Sequence, residues 1–327
     1  MVTELVEVTW RADKGLKFAC RIVLVQVLSA ALGLVVFMAA SGLLLARAQH
    51  GAEQRVFRSA IALTTINATV FDSEGRLATA LAQDVFEVFE DGEPQTITQF
   101  TRERVPVSLG VLLDISDSMF GRRIEDARAA VVAFLTGMLA PDDELSVTAF
   151  NHGSHLLTEW AADRGSIGPL LDRIKPFGGT AAYDAIVSML PRFEARNRQR
   201  AALLVISDGA DTASDASVRD VRSALLRSDA FVYAVAIDSP EPRAINTRVN
   251  PAALQEITDQ SGGRTEVVHG SGELVDALSR IADELNSQYL LGYSSPRATD
   301  GGYHSIRVRI RGGEHRVRAR NGYVGRP

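Results

Sequence analysis

From residue 107 onward, two hydrophobic periods alternate along the chain. Segments 107–113, 145–150, 201–207 and 231–237 are short, nearly continuous apolar runs. Such runs mark strands buried on both faces. Between them, segments 123–139, 181–193, 217–226, 251–261 and 273–285 repeat apolar residues every three or four positions. That spacing predicts amphipathic helices. Further strands are expected near 155–160 and 265–268. Strands alternating with helices need right-handed crossovers, so 106–287 is predicted to form a doubly wound, mostly parallel sheet with helices on both faces.

The flanking segments have a different period. Residues 60–71 are rich in β-branched side chains, and Asp72-Ser73-Glu74-Gly75 follows as a turn. Residues 85–90 alternate apolar and acidic positions, Asp91-Gly92 turns, and 95–100 begins another strand. Beyond 287, Ile306, Val308 and Ile310 alternate with Arg307, Arg309 and Arg311. Gly312-Gly313 breaks the run, and Arg316, Arg318 and Arg320 alternate again. This predicts an amphipathic hairpin. Neither flank has enough strands to be stable alone. Residues 57–105 and 288–327 are therefore expected to pair into one small β-sandwich-like domain.

The N-terminus adds a targeting signal. Residues 22–46 carry no charge, and only Gln26, Ser29 and Ser41 are polar. At ~1.5 Å per residue a helix of about 20 residues crosses a bilayer, so this run is long enough to span. Arg11, Lys14, Lys17 and Arg21 precede it, which favours residues 1–21 remaining cytoplasmic. The run ends in Ala46-Arg47-Ala48, the A-x-A form of a signal-peptidase site. Segment 22–48 thus reads as a transmembrane anchor or a cleaved signal peptide. Either way the rest of the chain is expected outside the cytoplasm, membrane-anchored or secreted into the periplasm or beyond.

Composition is ordinary for a globular protein, with 327 residues, 46% of them hydrophobic and 23% charged. A net charge of -5 gives no pull toward nucleic acid. The single cysteine, Cys20, cannot form an internal disulfide.

In open α/β sheets, ligands bind beyond the carboxyl ends of the strands. Three loops there are distinctive. Asp114-Ile115-Ser116-Asp117-Ser118 follows the first α/β strand, Gly178-Gly179-Thr180 precedes the helix at 181, and Ser207-Asp208-Gly209 follows another strand. A hard dication wants oxygen ligands in near-octahedral array. Asp114 and Asp208 offer carboxylates, while Ser116, Ser118 and Thr180 offer hydroxyls. With hydroxyls outnumbering charges, the ion stays electrophilic enough to accept an acidic side chain from outside. Mg²⁺ is the expected metal, with Mn²⁺ and Ca²⁺ as alternatives. Asp117 reads as a solvated side chain, and Asp211 as a turn residue or one that supports the ligands from behind rather than a ligand itself.

These five residues resemble the metal-ion-dependent adhesion site of von Willebrand factor A domains, all in the family's chain order. The resemblance covers about 105–287 and implies a doubly wound fold with a binding rather than enzymatic role. The flanks, Asp84-Val85-Phe86-Glu87-Val88-Phe89-Glu90-Asp91-Gly92, Tyr289-Leu290-Leu291-Gly292-Tyr293 and Arg320-Asn321-Gly322-Tyr323, resemble exported von Willebrand A-related proteins abundant in acidobacteria. That resemblance implies a bacterial cell-envelope location.

The expected partner is a protein offering an exposed Asp or Glu, in adhesion or assembly. The membrane is a second partner through 22–46 if that segment is kept, and no nucleic acid is expected. Two other readings remain open: a scaffold whose metal only ties the loops, and a metal-dependent hydrolase. His152 and His155 lack further zinc ligands nearby in sequence. The arginine ladder reads as a solvated strand face that blunts an edge. Asn67-Ala68-Thr69 matches a glycosylation sequon.

Overall fold

The computed structural model describes residues 62–161, 163–208, 210–238 and 250–326. The apolar run 22–46 and Cys20 lie outside them. Among the described residues, no helix is long and apolar enough to cross a membrane.

The α/β layer is one six-stranded sheet. Its strands are β5 (Val107–Asp114), β6 (Glu144–Phe150), β7 (Ser154–Leu156), β8 (Arg200–Ser207), β9 (Phe231–Ile237) and β10 (Thr265–Val268). The spatial order is β10-β9-β8-β5-β6-β7, and only the edge strand β7 runs antiparallel to its neighbour. The chain leaves β5 toward β6 and β7, then returns to β8 on β5's other side. The order therefore switches between β5 and β8, and a crevice forms at such a point.

Both faces are covered, as the continuous apolar runs require. The helices are α1 (Arg122–Ala133), α2 (Ile167–Asp172), α3 (Ala182–Met189), α4 (Val218–Arg227), α5 (Pro251–Ser261) and α6 (Ser271–Asn286). Leu109, Val111 and Leu113 of β5 pack with Ile124 and Val131 of α1, Leu171 of α2 and Leu278 of α6. Leu112 of β5 faces the other way, with Ile186 of α3, Val221 of α4 and Ile257 of α5. Each such side chain stabilises the fold by roughly 1.5–3 kcal/mol relative to exposure. Two helices end earlier than their periodicity predicts. After α1 the chain widens into a π turn at Phe134–Met138. After α3 it tightens into 3-10 turns at Leu190–Ala195. Pro191 supplies no N–H there, so it cannot extend the α-helical ladder.

The flanking segments form two four-stranded sheets. One has the order β13-β1-β11-β4 and the other β14-β12-β2-β3. Here β1 is Ala62–Phe71, β2 Phe86–Glu90, β3 Glu93–Gln95 and β4 Ile97–Thr101; β11 is Tyr289–Ser295, β12 Tyr303–Ile310, β13 Arg316–Ala319 and β14 Gly322–Val324. Each sheet thus combines strands from before and after the α/β layer, alternating in the first and paired two by two in the second. Ile66, Val70, Phe86, Val88, Leu291 and Ile306 share their core.

The alternating arginine segment is not the hairpin its pattern predicts. β12 pairs with β2 and β14, while β13 pairs with β1 in the other sheet. In that sheet β13 meets an aromatic surface. Arg316 and Arg318 lie over the Phe71 ring, with guanidinium carbons 5.0 and 4.8 Å from its centroid. The sequon asparagine is also placed against modification: Asn67 is buried in β1, paired with Leu290.

Three flank motifs meet at one buried carboxylate. Glu90 accepts hydrogen bonds from the hydroxyls of Tyr323 (2.5 Å), Tyr293 (3.0 Å) and Ser295 (2.8 Å). The β sheets are also tied to the foot of the α/β layer. Arg200 of β8 donates to the Val105 carbonyl (2.8 Å) and to the Gln288 side chain, which in turn donates to Tyr233 of β9 (3.1 Å).

Candidate metal centre

Asp114 is the last residue of β5, and Asp208 follows the last residue of β8. Parallel pairing of β5 with β8, Leu113 beside Ile206, brings these two ends together at the switch point. Both carboxylates are fully buried, 0% exposed. They are joined by serines. Ser207 Oγ donates to Asp114 Oδ2 at 2.5 Å, and Ser118 Oγ donates to Asp208 Oδ1 at 2.6 Å. Ser116 Oγ lies 2.9 Å from Ser118 Oγ. Asp114 Oδ1 accepts from the Ser116 amide at 2.8 Å, which wraps the loop back over the carboxylate. A short 3-10 turn at Asp117–Met119 then leads into α1.

Thr180 is buried too, and its loop is bound to both others. The Gly178 carbonyl accepts from the Asp117 amide at 2.9 Å. The Thr180 carbonyl accepts from the Thr212 and Ala213 amides at 2.8 and 3.0 Å, and Thr212 Oγ1 accepts from the Thr180 amide at 3.0 Å. Gly178 has φ +80°, and a Cβ there would sit 2.5 Å from His152 Nδ1. This position needs glycine for both its backbone and its neighbour. The structure thus brings Asp114, Ser116, Ser118 and Asp208 into one hydrogen-bonded group and ties the Thr180 loop to it. Among the described residues, no hydrogen bond joins the Thr180 hydroxyl to that group.

The donor set suits a hard dication. It is oxygen throughout, with two carboxylates and three hydroxyls. Burial pushes the Asp114 carboxyl up to about 7, against the hydrogen bonds from Ser207 and Ser116. A carboxylate so stripped of water is stabilised by a cation. Among the described residues, no three His, Cys, Asp or Glu side chains cluster as ligands. The group therefore depends on its hydroxyls.

One residue at the site is not signalled by the sequence. Arg123, in the first turn of α1, is buried. Its Nε lies 3.5 Å from Asp208 Oδ2, and its Nη1 donates to the Ser118 carbonyl at 3.0 Å. On a helix pattern it reads as one more surface charge. Ser207 lies in the distinctive Ser207-Asp208-Gly209 loop, but its bond to Asp114 is visible only in the fold.

The other sequence candidates have structural partners. Asp211 caps the start of α3 by accepting from the Tyr183 amide at 3.0 Å and binds Ser214 Oγ at 2.6 Å. Asp117 is exposed. His155 contacts Asn151 at 3.3 Å, and the His152 ring meets Phe177 edge-on at 5.6 Å. In the arginine ladder, Arg311 binds Glu87 at 3.0 Å and Arg318 pairs with Glu284.

Parts of this chain are similar to known proteins. Residues 109–210 match the family model for the von Willebrand factor type A domain. A segment of 85 residues is 35% identical to an uncharacterised Synechocystis protein, covering 25% of this chain and 20% of that one. The chain thus spans about a fifth of the length of that curated relative. Three solved structures are similar in part. The aerotolerance-related membrane protein from Bacteroides fragilis is 25% identical, with 55% of this chain and 98% of that one covered and a TM-score of 0.48. BatB, a conserved hypothetical protein from Bacteroides thetaiotaomicron, is 22% identical, with the same coverages and a TM-score of 0.47. The von Willebrand factor type A protein from Catenulispora acidiphila is 13% identical, with 80% and 72% covered and a TM-score of 0.49. The matched segment, which runs from β5 to just beyond β8 within the α/β layer, is similar to a von Willebrand factor type A domain.

Proposed function

We propose that this chain is an exported protein-binding module of the cell envelope that captures a partner through a divalent cation, Mg²⁺. Asp114, Ser116, Ser118, Thr180 and Asp208 would hold the ion, and its open coordination would accept a carboxylate from the partner. The observation that carries this reading is the chain of oxygens from Ser116 through Ser118 to Asp208, set beside Asp114 at the sheet's switch point. The basic residues before the apolar run 22–46 support export.

The residues divide the work. Asp114 and Asp208 supply charge, and burial keeps water from screening it. Ser116, Ser118 and Thr180 add neutral oxygens, so charge is left over for an incoming acid. Arg123 holds the Ser118 carbonyl and faces Asp208, which fixes both before any partner arrives.

A role confined to fastening the loops has less to do. Direct backbone bonds, Asp117 to Gly178 and Thr212 to Thr180, already join them. The test is a pull-down from envelope extract with the full chain, in Mg²⁺ and in chelator, beside Asp114→Ala. Capture should need both the ion and Asp114. A partner retained equally in chelator and by the variant would refute the reading.

A further inference from the structure

We propose that Phe120 and Phe177 form an aromatic rim that selects, as the partner segment at the Asp114–Asp208 site, an acidic side chain flanked by apolar residues. This rests on the reading of the site as a cation-dependent carboxylate receptor. Phe120 is 75% exposed and Phe177 49% exposed. They are the exposed phenylalanines among the described residues, and both sit on loops of this site. Leaving such a ring in water forgoes roughly 1.5–3 kcal/mol of burial. Two of them on adjoining loops offer anchors that a partner could cover.

Neither ring rides on a loose loop. Phe120 follows a turn closed by Met119 N to Ser116 O at 3.0 Å and by its own amide to Asp117 O at 3.3 Å. Met119, its neighbour, is fully buried. Phe177 donates its amide to the Ile115 carbonyl at 2.9 Å, and its carbonyl accepts from Asn151 Nδ2 at 3.0 Å. The His152 ring supports it edge-on at 5.6 Å. The two loops meet where the Asp117 amide binds the Gly178 carbonyl, three residues from Phe120 and one from Phe177. The rings are thus presented at little further entropic cost, as a pre-ordered interface anchor should be.

The charges nearby fix the sign of the partner. On segments 117–122 and 175–178, which carry the rings, the exposed charges are Arg122, Lys175 and Asp117, one positive charge in excess. An acidic segment complements it. A second copy of this face would set cation against cation. Apolar neighbours on the partner segment would cover the phenylalanines and exclude water from the carboxylate. The pair beneath them would then be stronger, by lower local dielectric.

The test uses the full chain and synthetic nonapeptides with one central Asp in Mg²⁺. One set flanks the Asp with Leu or Phe, the other with Ser. Magnesium binding is followed separately by calorimetry. Apolar-flanked peptides should bind about tenfold more tightly than Ser-flanked ones. Phe120→Ser with Phe177→Ser should erase that preference and leave magnesium binding and melting temperature unchanged. Equal binding of the two peptide sets, no binding of either, or a preference that survives in the double variant would overturn the rim. So would self-association of the chain that disappears in the double variant. Failure of magnesium itself to bind would instead strike the reading of the site, and the rim with it.

Discussion

Arg123 Nε lies 3.5 Å from Asp208 Oδ2, and both side chains are buried. A cation entering beside Asp208 meets this fixed positive charge. At an effective dielectric of about 20 that repulsion is several kcal/mol; the lost positioning of Asp208 and Ser118 offsets part of it, leaving on the order of 1–2 kcal/mol, or about tenfold in affinity. Arg123→Met should therefore tighten magnesium binding by about tenfold. It should also lower the melting temperature without metal, because Asp208 and the Ser118 carbonyl lose a partner. Calorimetry and thermal melts on one preparation check both signs.

Asp114 has the opposite liability. Its folded carboxyl titrates at about 7, above the unfolded value of ~3.9. Ionising it therefore costs stability as pH rises from that value through 7, and the cost is complete above 7. Asp114→Asn should stabilise the metal-free chain by on the order of 1–3 kcal/mol at pH 8, with no gain at pH 4. Denaturant titrations at the two pH values read this. Added magnesium should stabilise the parent chain and not the variant.

Gly178 joins the Thr180 loop to the Asp117 turn with φ +80°. Gly178→Ala strains that backbone and pushes His152 aside, at a cost of about 1–2 kcal/mol. Magnesium affinity should fall with it, because the loop carrying Thr180 moves. Unchanged stability and affinity would show that the close approach is dispensable.

A second network, in the β sheets, responds to pH. His304 Nδ1 lies 2.7 Å from Asp91, and its Nε2 lies 3.0 Å from Asp300. The two carboxylates raise His304 against its burial. Hydrogen bonding to His304 lowers Asp300 and takes Asp91 to about 2. The histidine's contribution is full below ~6.5 and fades as pH rises through its higher folded value. The aspartates contribute above ~3.9, and their share fades as pH falls toward 2. The latch should thus be strongest between about pH 4 and 6.5. His304→Gln should lower the melting temperature by about 2–4 °C at pH 5.5 and by less at pH 9. Equal loss at both values would show that charge plays no part.

Glu90 anchors the same layer through Tyr293, Tyr323 and Ser295. Glu90→Ala leaves three buried hydroxyls without their acceptor, and should cost about 3–4 kcal/mol in urea unfolding. Tyr323→Phe, which removes one donor, should cost about 1 kcal/mol.

Much of the α/β layer was written in the local pattern. Continuous apolar runs at 107–113 and 201–207 mark strands buried on both faces, because such burial leaves no polar position to spare. The Asp114, Thr180 and Asp208 loops were visible because ligand sites fall at strand ends, and each lies directly beyond a legible strand or before a legible helix. The flanks read as β for the same reason, since period-two alternation is a property of neighbouring residues.

What pairs with what was decided only in three dimensions. Alternation in 303–320 is the same for a hairpin and for strands in two sheets. β13 lies beside β1, where Phe71, some 245 residues earlier, offers its ring to Arg316 and Arg318. Glu90 gathers two tyrosines from more than 200 residues away, and Arg123 turns from a helix's surface side into the crevice because Asp208 lies there. Periodicity records which face of an element is buried. It carries no record of the distant residue that face will meet, because that meeting is set by how all the elements pack at once.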